Sequence, residues 1–155
     1  MRVNFQDHEV SRKAFRKSGL TGEKLKCRSL FEPFWFSVDD DLFLITEGFW
    51  WDGSSNPRAT WTLIGSPWDE DLSPGAIVHD MLYGARVFPR RKCDAIFESI
   101  NEMNEMNIIQ RKTMDYGLFV GGGFVYNNKT DEQIAGCRKH LLINGRPFKQ
   151  TIEGV

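Results

Sequence analysis

The chain has 155 residues, 41% hydrophobic and 26% charged, the size and balance of one globular domain with a real core. A net charge of −1 excludes a global basic field for nucleic acid, and no apolar run approaches the roughly 18 residues that a membrane-spanning helix needs. Cys27, Cys93 and Cys137 are odd in number and form no Cys-x-x-Cys pair, so they are expected as reduced thiols without an intrachain disulfide.

Residues 1–32 are polar and weakly patterned, and no element is assigned to them. Met1 to Val10 contains Arg2, Asp7, His8 and Glu9 where a secretion signal would be apolar, which implies a cytoplasmic protein. The basic side chains between Arg12 and Arg28 read as a solvated face. Pro33 to Val38 and Leu42 to Phe49 are rich in aromatic and β-branched residues, with Asp39-Asp40-Asp41 between them. This pattern predicts a β-hairpin with an acidic turn. The three aspartates lack the alternating ligand spacing of an EF-hand. Phe49-Trp50-Trp51 would mark an interface or a membrane-contacting rim if it stayed exposed.

The loop from Trp51 to Arg58, with Asp52, Gly53, Ser54, Ser55, Asn56 and Pro57, has the densest turn chemistry in the chain. It reads either as an oxygen-rich cage suited to a hard cation or as an ordinary turn before a short helix over 57–63. Gly65-Ser66-Pro67 ends that piece. Ser73 then serves as N-cap and Pro74 as first residue of a helix over 74–86. Ile77, Val78, Met81, Leu82 and Ala85 cover one side of this helix. His79, Asp80 and Tyr83 share the other, because residues three and four apart are neighbours on a helix. Pro89 breaks the chain. A helix over 90–104 follows, with Cys93, Ile96, Phe97, Ile100 and Met103 at core spacing and Asp94 on its flank.

A third helix is predicted over 108–120. Gly121-Gly122-Gly123 lacks the spacing of a phosphate-binding loop and reads as close helix packing or a helix end. A short helix is expected over 131–142, and the tail after Asn144-Gly145 as loosely held. The whole is a single α+β domain, an N-terminal hairpin or small antiparallel sheet packed on a mostly helical core.

His79, Asp80, Tyr83 and Asp94 together provide an imidazole base, a cation ligand, a phenol and a second carboxylate. These are the parts of a histidine-activated water with a metal as electrophile. Asp94 falls early in its helix, and a short turn at Pro89 favours antiparallel helices, so Asp94 is expected to hydrogen-bond His79.

Gly48 to Arg58, then His79-Asp80-Met81-Leu82-Tyr83, then Arg91 and Asp94 resemble a bacteriophage and prophage family known as domain of unknown function 1353. That resemblance implies a phage origin and a place in the host cytoplasm or with the virion. More distantly, His-Asp-x-x-Tyr on one helix and an aspartate on the next are similar to phospholipases A2. This second resemblance implies an antiparallel helix pair with His79 as base, Asp94 orienting it and Tyr83 supporting it. It also implies calcium, held by Asp80 with Asp52, Gly53 and Ser54. The chain departs from that family in lacking a cysteine just before the histidine and a glycine-rich calcium loop.

Two functions follow. One is a metal-assisted hydrolase of lipid or other ester substrates. The other is a non-catalytic phage assembly or host-factor-binding protein whose same residues form a buried hydrogen-bond network. A serine hydrolase built on Ser54 or Ser55 is disfavoured, because no G-x-S-x-G elbow is present.

Overall fold

The computed structural model describes residues 5–9, 26–51 and 73–149. The loop at Asp52, Gly53 and Ser54 and the helix expected over 57–63 lie outside these residues, as do residues 150–155. Strands β1 (Phe5–Glu9), β2 (Lys26–Leu30) and β5 (Trp50–Trp51) form one antiparallel sheet in the order β1-β2-β5. Strands β3 (Phe34–Val38), β4 (Asp41–Ile45), β6 (Leu141–Ile143) and β7 (Arg146–Pro147) form a second, in that order. Among the described residues the helices are α1 (Ser73–Ala85), α2 (Arg90–Met103), α3 (Ile108–Gly117), α4 (Gly123–Asn127) and α5 (Asp131–Arg138). A π-helical turn, Leu118–Gly122, joins α3 to α4. The architecture is α+β, as expected.

The predicted hairpin is β3–β4, with Val38 opposite Asp41. Phe34 and Phe36 point inward while Trp35 and Ser37 point out, the alternation of a strand with one wet face. Phe36 stacks on Phe43 across the pair, ring centroids 4.9 Å apart. Asp39 takes the left-handed backbone the tight turn needs, at φ 53°. Its carboxylate also reaches Lys92 on α2 at 2.8 Å. The second strand ends at Ile45 rather than running to Phe49, because Gly48 turns the chain at φ 78°. Phe49 is buried, and Trp50 is about half exposed.

The C-terminal expectations need correction. The last helix stops at Arg138, not Leu142. Leu141, Leu142 and Ile143 instead pair with Ile45, Leu44 and Phe43. Asn144 and Gly145 are not the start of a loose tail. They take φ 51° and 74° and turn the chain into β7, as Asn-Gly does in a two-residue hairpin loop. The Asn144 side chain also accepts from Leu42 N at 2.9 Å and donates to Asp41 Oδ1 at 2.7 Å. The end of the chain thus completes the sheet that its early hairpin begins.

Helix α1 runs through the middle of the fold. Ala76, Ile77, Val78, Met81, Leu82 and Ala85 are buried, and so are His79 and Tyr83. The expected polar side is therefore covered, with Asp80 half-buried. A helix apolar nearly all round belongs inside. On one side α2 lies antiparallel to it, since Gly75 meets Asn101 and Phe97 while His79 meets Phe97 and Asp94. On another side α5 packs so closely that a Cβ at Gly84 would collide with the Cys137 sulfur. Arg138 donates from Nε to Ala85 O at 3.0 Å, capping the C-terminus of α1.

The triple glycine does not end a helix. Met114, Leu118, Gly122 and Tyr126 face inward at intervals of four. An α-helix repeats every 3.6 residues, so such a row drifts around the axis; the wider π turn absorbs that drift.

If β6 seals the core, Leu141→Ala should lower unfolding free energy by about 3 kcal/mol, as for other buried leucines. Denaturant unfolding followed by near-UV and far-UV circular dichroism should show this with native helix content retained.

Candidate functional site

Asp94 sits in the first turns of α2, opposite the middle of α1. Its Oδ1 lies 3.2 Å from His79 Nε2 and accepts a 2.5 Å hydrogen bond from the Tyr83 hydroxyl. The expected His79–Asp94 contact is therefore present. The imidazole is clamped between the rings of Tyr83 at 4.0 Å and Phe97 at 5.0 Å. Tyr83 in turn meets Tyr126 edge-on at 5.2 Å. His79 Nδ1 is 4.0 Å from Asp80 Oδ1. The histidine side chain keeps 10% of its surface exposed, and Asp80 keeps 27%.

Sequence reasoning missed Arg90. Its Nε lies 3.4 Å from Asp94 Oδ2, and its Nη2 donates to Leu118 O at 2.8 Å and Phe119 O at 3.3 Å. Arg91, part of the motif that resembles the phage family, is exposed. The signal for Arg90 was its i,i+4 spacing to Asp94. The triple glycine gave a second signal, since a side chain at Gly123 would come within 2.7 Å of Arg90 Nη1. One at Gly122 would come within 3.0 Å of the Tyr83 hydroxyl. These glycines are small because an arginine and a tyrosine pass beside them.

The electrostatics follow from burial and from Asp94. Burial pushes the His79 pKa down from its ordinary 6.5, against the opposing pull of the Asp94 carboxylate. The ring is therefore neutral at neutral pH. Burial works to raise the Asp94 pKa, but the hydrogen bonds from His79 and Tyr83, with the charge of Arg90, outweigh it and hold the carboxyl below 3.8. An ionised Asp94 requires the proton of the neutral imidazole on Nε2, leaving the lone pair on Nδ1. Burial and the neighbouring carboxylate both drive the Tyr83 phenol up, so it stays a donor.

Cys93 and Cys137 are free thiols. Burial pushes Cys93 up to about 12 and raises Cys137, so neither is poised as a nucleophile. The Cys27 side chain lies outside the described residues. Asp80 is the one expected metal ligand within the described residues; Asp52, Gly53 and Ser54 are outside them. Among the described residues, no group of three or more His, Cys, Asp or Glu side chains could hold a metal ion. No described helix is long and apolar enough to cross a membrane.

The family model described as "Protein of unknown function (DUF1353)" matches residues 28–118, more than half of the chain. The match takes in the β3–β4 hairpin, α1, α2 and α3. No curated protein and no solved structure matches the chain.

Two stability effects should follow. The folded-state pKa values of His79 and Asp94 are both depressed, so each contributes stability that is complete above its unfolded value and lost as pH falls through the folded one. Stability should therefore be level above about pH 6.5 and decline on acidification, first through His79, then below about 3.8 through Asp94. His140, also depressed by burial, adds to the first stage. Urea unfolding at a series of pH values checks this. Tyr83→Phe removes one donor at little change in volume and should cost about 1–3 kcal/mol.

Proposed function

Since this chain belongs to the DUF1353 family, a family of unknown function, its chemistry has to be read from its own site, and we propose that it is a phospholipase A2-like hydrolase that activates water with His79. Its substrate class would be a lipid or another ester. We place its action in the host cytoplasm or the virion, a reading supported by the motif order that resembles phage proteins. The observation that carries the reading is the division of labour on one imidazole. Nε2 is bound to Asp94, while Nδ1 is turned toward Asp80 at 4.0 Å. That separation is too long for a direct hydrogen bond and suits a water within reach of both groups.

In the proposed reaction, Nδ1 takes a proton from this water as its oxygen attacks the ester carbonyl carbon. The Asp94 carboxylate stabilises the imidazolium, as in a serine protease triad. The imidazolium then returns the proton to the departing alkoxide as the acyl–oxygen bond breaks. The products are a carboxylic acid and an alcohol. Tyr83 and Arg90 keep Asp94 ionised and in place. Among the described residues Asp80 is the one side chain proposed to hold calcium. If calcium is held there together with Asp52, Gly53 and Ser54, it would supply carbonyl polarisation.

The burial of His79 and Tyr83 favours a second reading. There the same four side chains lock α1 to α2 in a phage assembly or host-factor-binding protein, with no chemistry.

The test measures hydrolysis of phospholipid and simple esters, with and without calcium, beside thermal melting. On the hydrolase reading His79→Gln, which keeps a polar group against Asp94, lowers hydrolysis by about 100-fold or more with little change in melting temperature. Asp80→Asn abolishes any calcium-dependent rise in melting temperature. On the second reading there is no hydrolysis to lose, and His79→Ala costs about 1–3 kcal/mol by removing one donor to Asp94, which keeps Tyr83 and Arg90. A wild-type protein with neither hydrolysis nor a calcium-dependent melting shift would end the hydrolase proposal.

A further inference from the structure

The helical run from Ile108 to Asn127 has two apolar faces, and the fold buries one of them. The inward row is Met114, Leu118, Gly122 and Tyr126. The outward face carries Ile109, Tyr116, Val120 and Phe124, flanked by Phe119, all 66–77% exposed. At about 100° per residue, Ile109, Tyr116 and Val120 project in nearly one direction, and the π turn brings Phe124 into the same line. This is a continuous stripe about 25 Å long. Scattered surface hydrophobes need no explanation, but a stripe at helical spacing opposite the core does.

We propose that this outward stripe is the contact face of a homodimer, in which two copies pair their Ile108–Asn127 helices antiparallel about a two-fold axis. The first argument is area. With Ile108 and Val125 included, the exposed side chains present on the order of 800 Å² of apolar surface, about what each partner contributes to a standard interface. A typical monomer's largest apolar patch is roughly 300–600 Å². The second argument is position. Gly117 lies at the midpoint of the stripe, is exposed, and a Cβ there would meet nothing within 4 Å. Among the described residues no contact requires a glycine there, whereas a close crossing of two helices would. The third is charge. A lipid surface would favour a cationic border, but here Lys112 is paired with Glu98 at 3.6 Å, and Asp115 is exposed beside it. A second copy offers the same mixed, near-neutral border and a matching apolar stripe, as a two-fold contact requires.

The dimer does not depend on the hydrolase reading, but it touches the same element. The carbonyls that hold Arg90 belong to Leu118 and Phe119 on this helix. Pairing would stiffen the wall that positions Arg90 against Asp94.

The test is the solution mass of the full chain, by sedimentation velocity and light scattering. Wild type is expected at twice 17.9 kDa at concentrations of about 10–100 μM. The double variant Val120→Glu, Phe124→Glu replaces two exposed side chains and should sediment as a monomer with unchanged helical circular dichroism. Its dissociation constant should rise by about 100-fold or more. Lys139→Glu, exposed just past the end of α5, should leave the dimer intact. A wild-type monomer at about 100 μM overturns the proposal. So does a dimer that survives the charged variant, or a monomer that partitions onto phosphatidylcholine vesicles through this stripe.

Discussion

Everything around α1 depends on one carboxylate. Asp94 accepts from His79 and Tyr83 on one oxygen and lies against Arg90 with the other. The first two are buried on a helix whose other buried residues are apolar. A buried polar group without a partner costs about 1–3 kcal/mol, more if charged. The α1–α2 contact is thus favourable only in the register that brings Asp94 opposite both of them. A shift by one helical turn would part the imidazole and the phenol from the carboxylate and leave Asp94 only Arg90 of its own helix.

That requirement reaches further along the chain. Arg90 is held by the carbonyls of Leu118 and Phe119, and it passes beside Gly122 and Gly123. A side chain at either glycine would crowd the guanidinium or the phenol. The π turn keeps the inward row facing α1 and α2 despite its four-residue spacing. At the other end of α1, Arg86 takes a left-handed backbone at φ 50° and Val87 N reaches back to Leu82 O at 3.2 Å. The Arg86 side chain donates to the carbonyls of Tyr126 and Asn127. Two arginines, from the end of α1 and the start of α2, therefore tie the helical run after Ile108 to the central pair.

A rigid, ring-clamped imidazole serves catalysis and architecture equally well. The Nε2 side of His79 is used identically in both, because Asp94 fixes tautomer and orientation either way. The two diverge on the Nδ1 side, where Asp80 stands 4.0 Å away. A lock between helices needs nothing there. A hydrolase needs a water at that place and a route for an ester to reach it. This is why Asp80, the least buried member of the group, discriminates more sharply than Asp94.

By itself the sequence determined whatever depends on local periodicity. Aromatic and β-branched runs on either side of Asp39-Asp40-Asp41 specified the hairpin. Spacing specified α1 and α2, and the short turn between them made the His79–Asp94 contact predictable from 15 residues' separation. Only the tertiary structure decided the rest. Leu141-Leu142-Ile143 is too short to distinguish strand from helix end, and its partner Phe43–Ile45 lies about a hundred residues away. Arg90 was legible as a charge beside a proline but not as a clamp, since its acceptors are backbone carbonyls that carry no sequence signature. The spacing of His79, Asp80 and Tyr83 on one side of α1 left that side free to face solvent or a neighbouring helix. The structure covers it, since one carboxylate on the neighbouring helix satisfies both His79 and Tyr83.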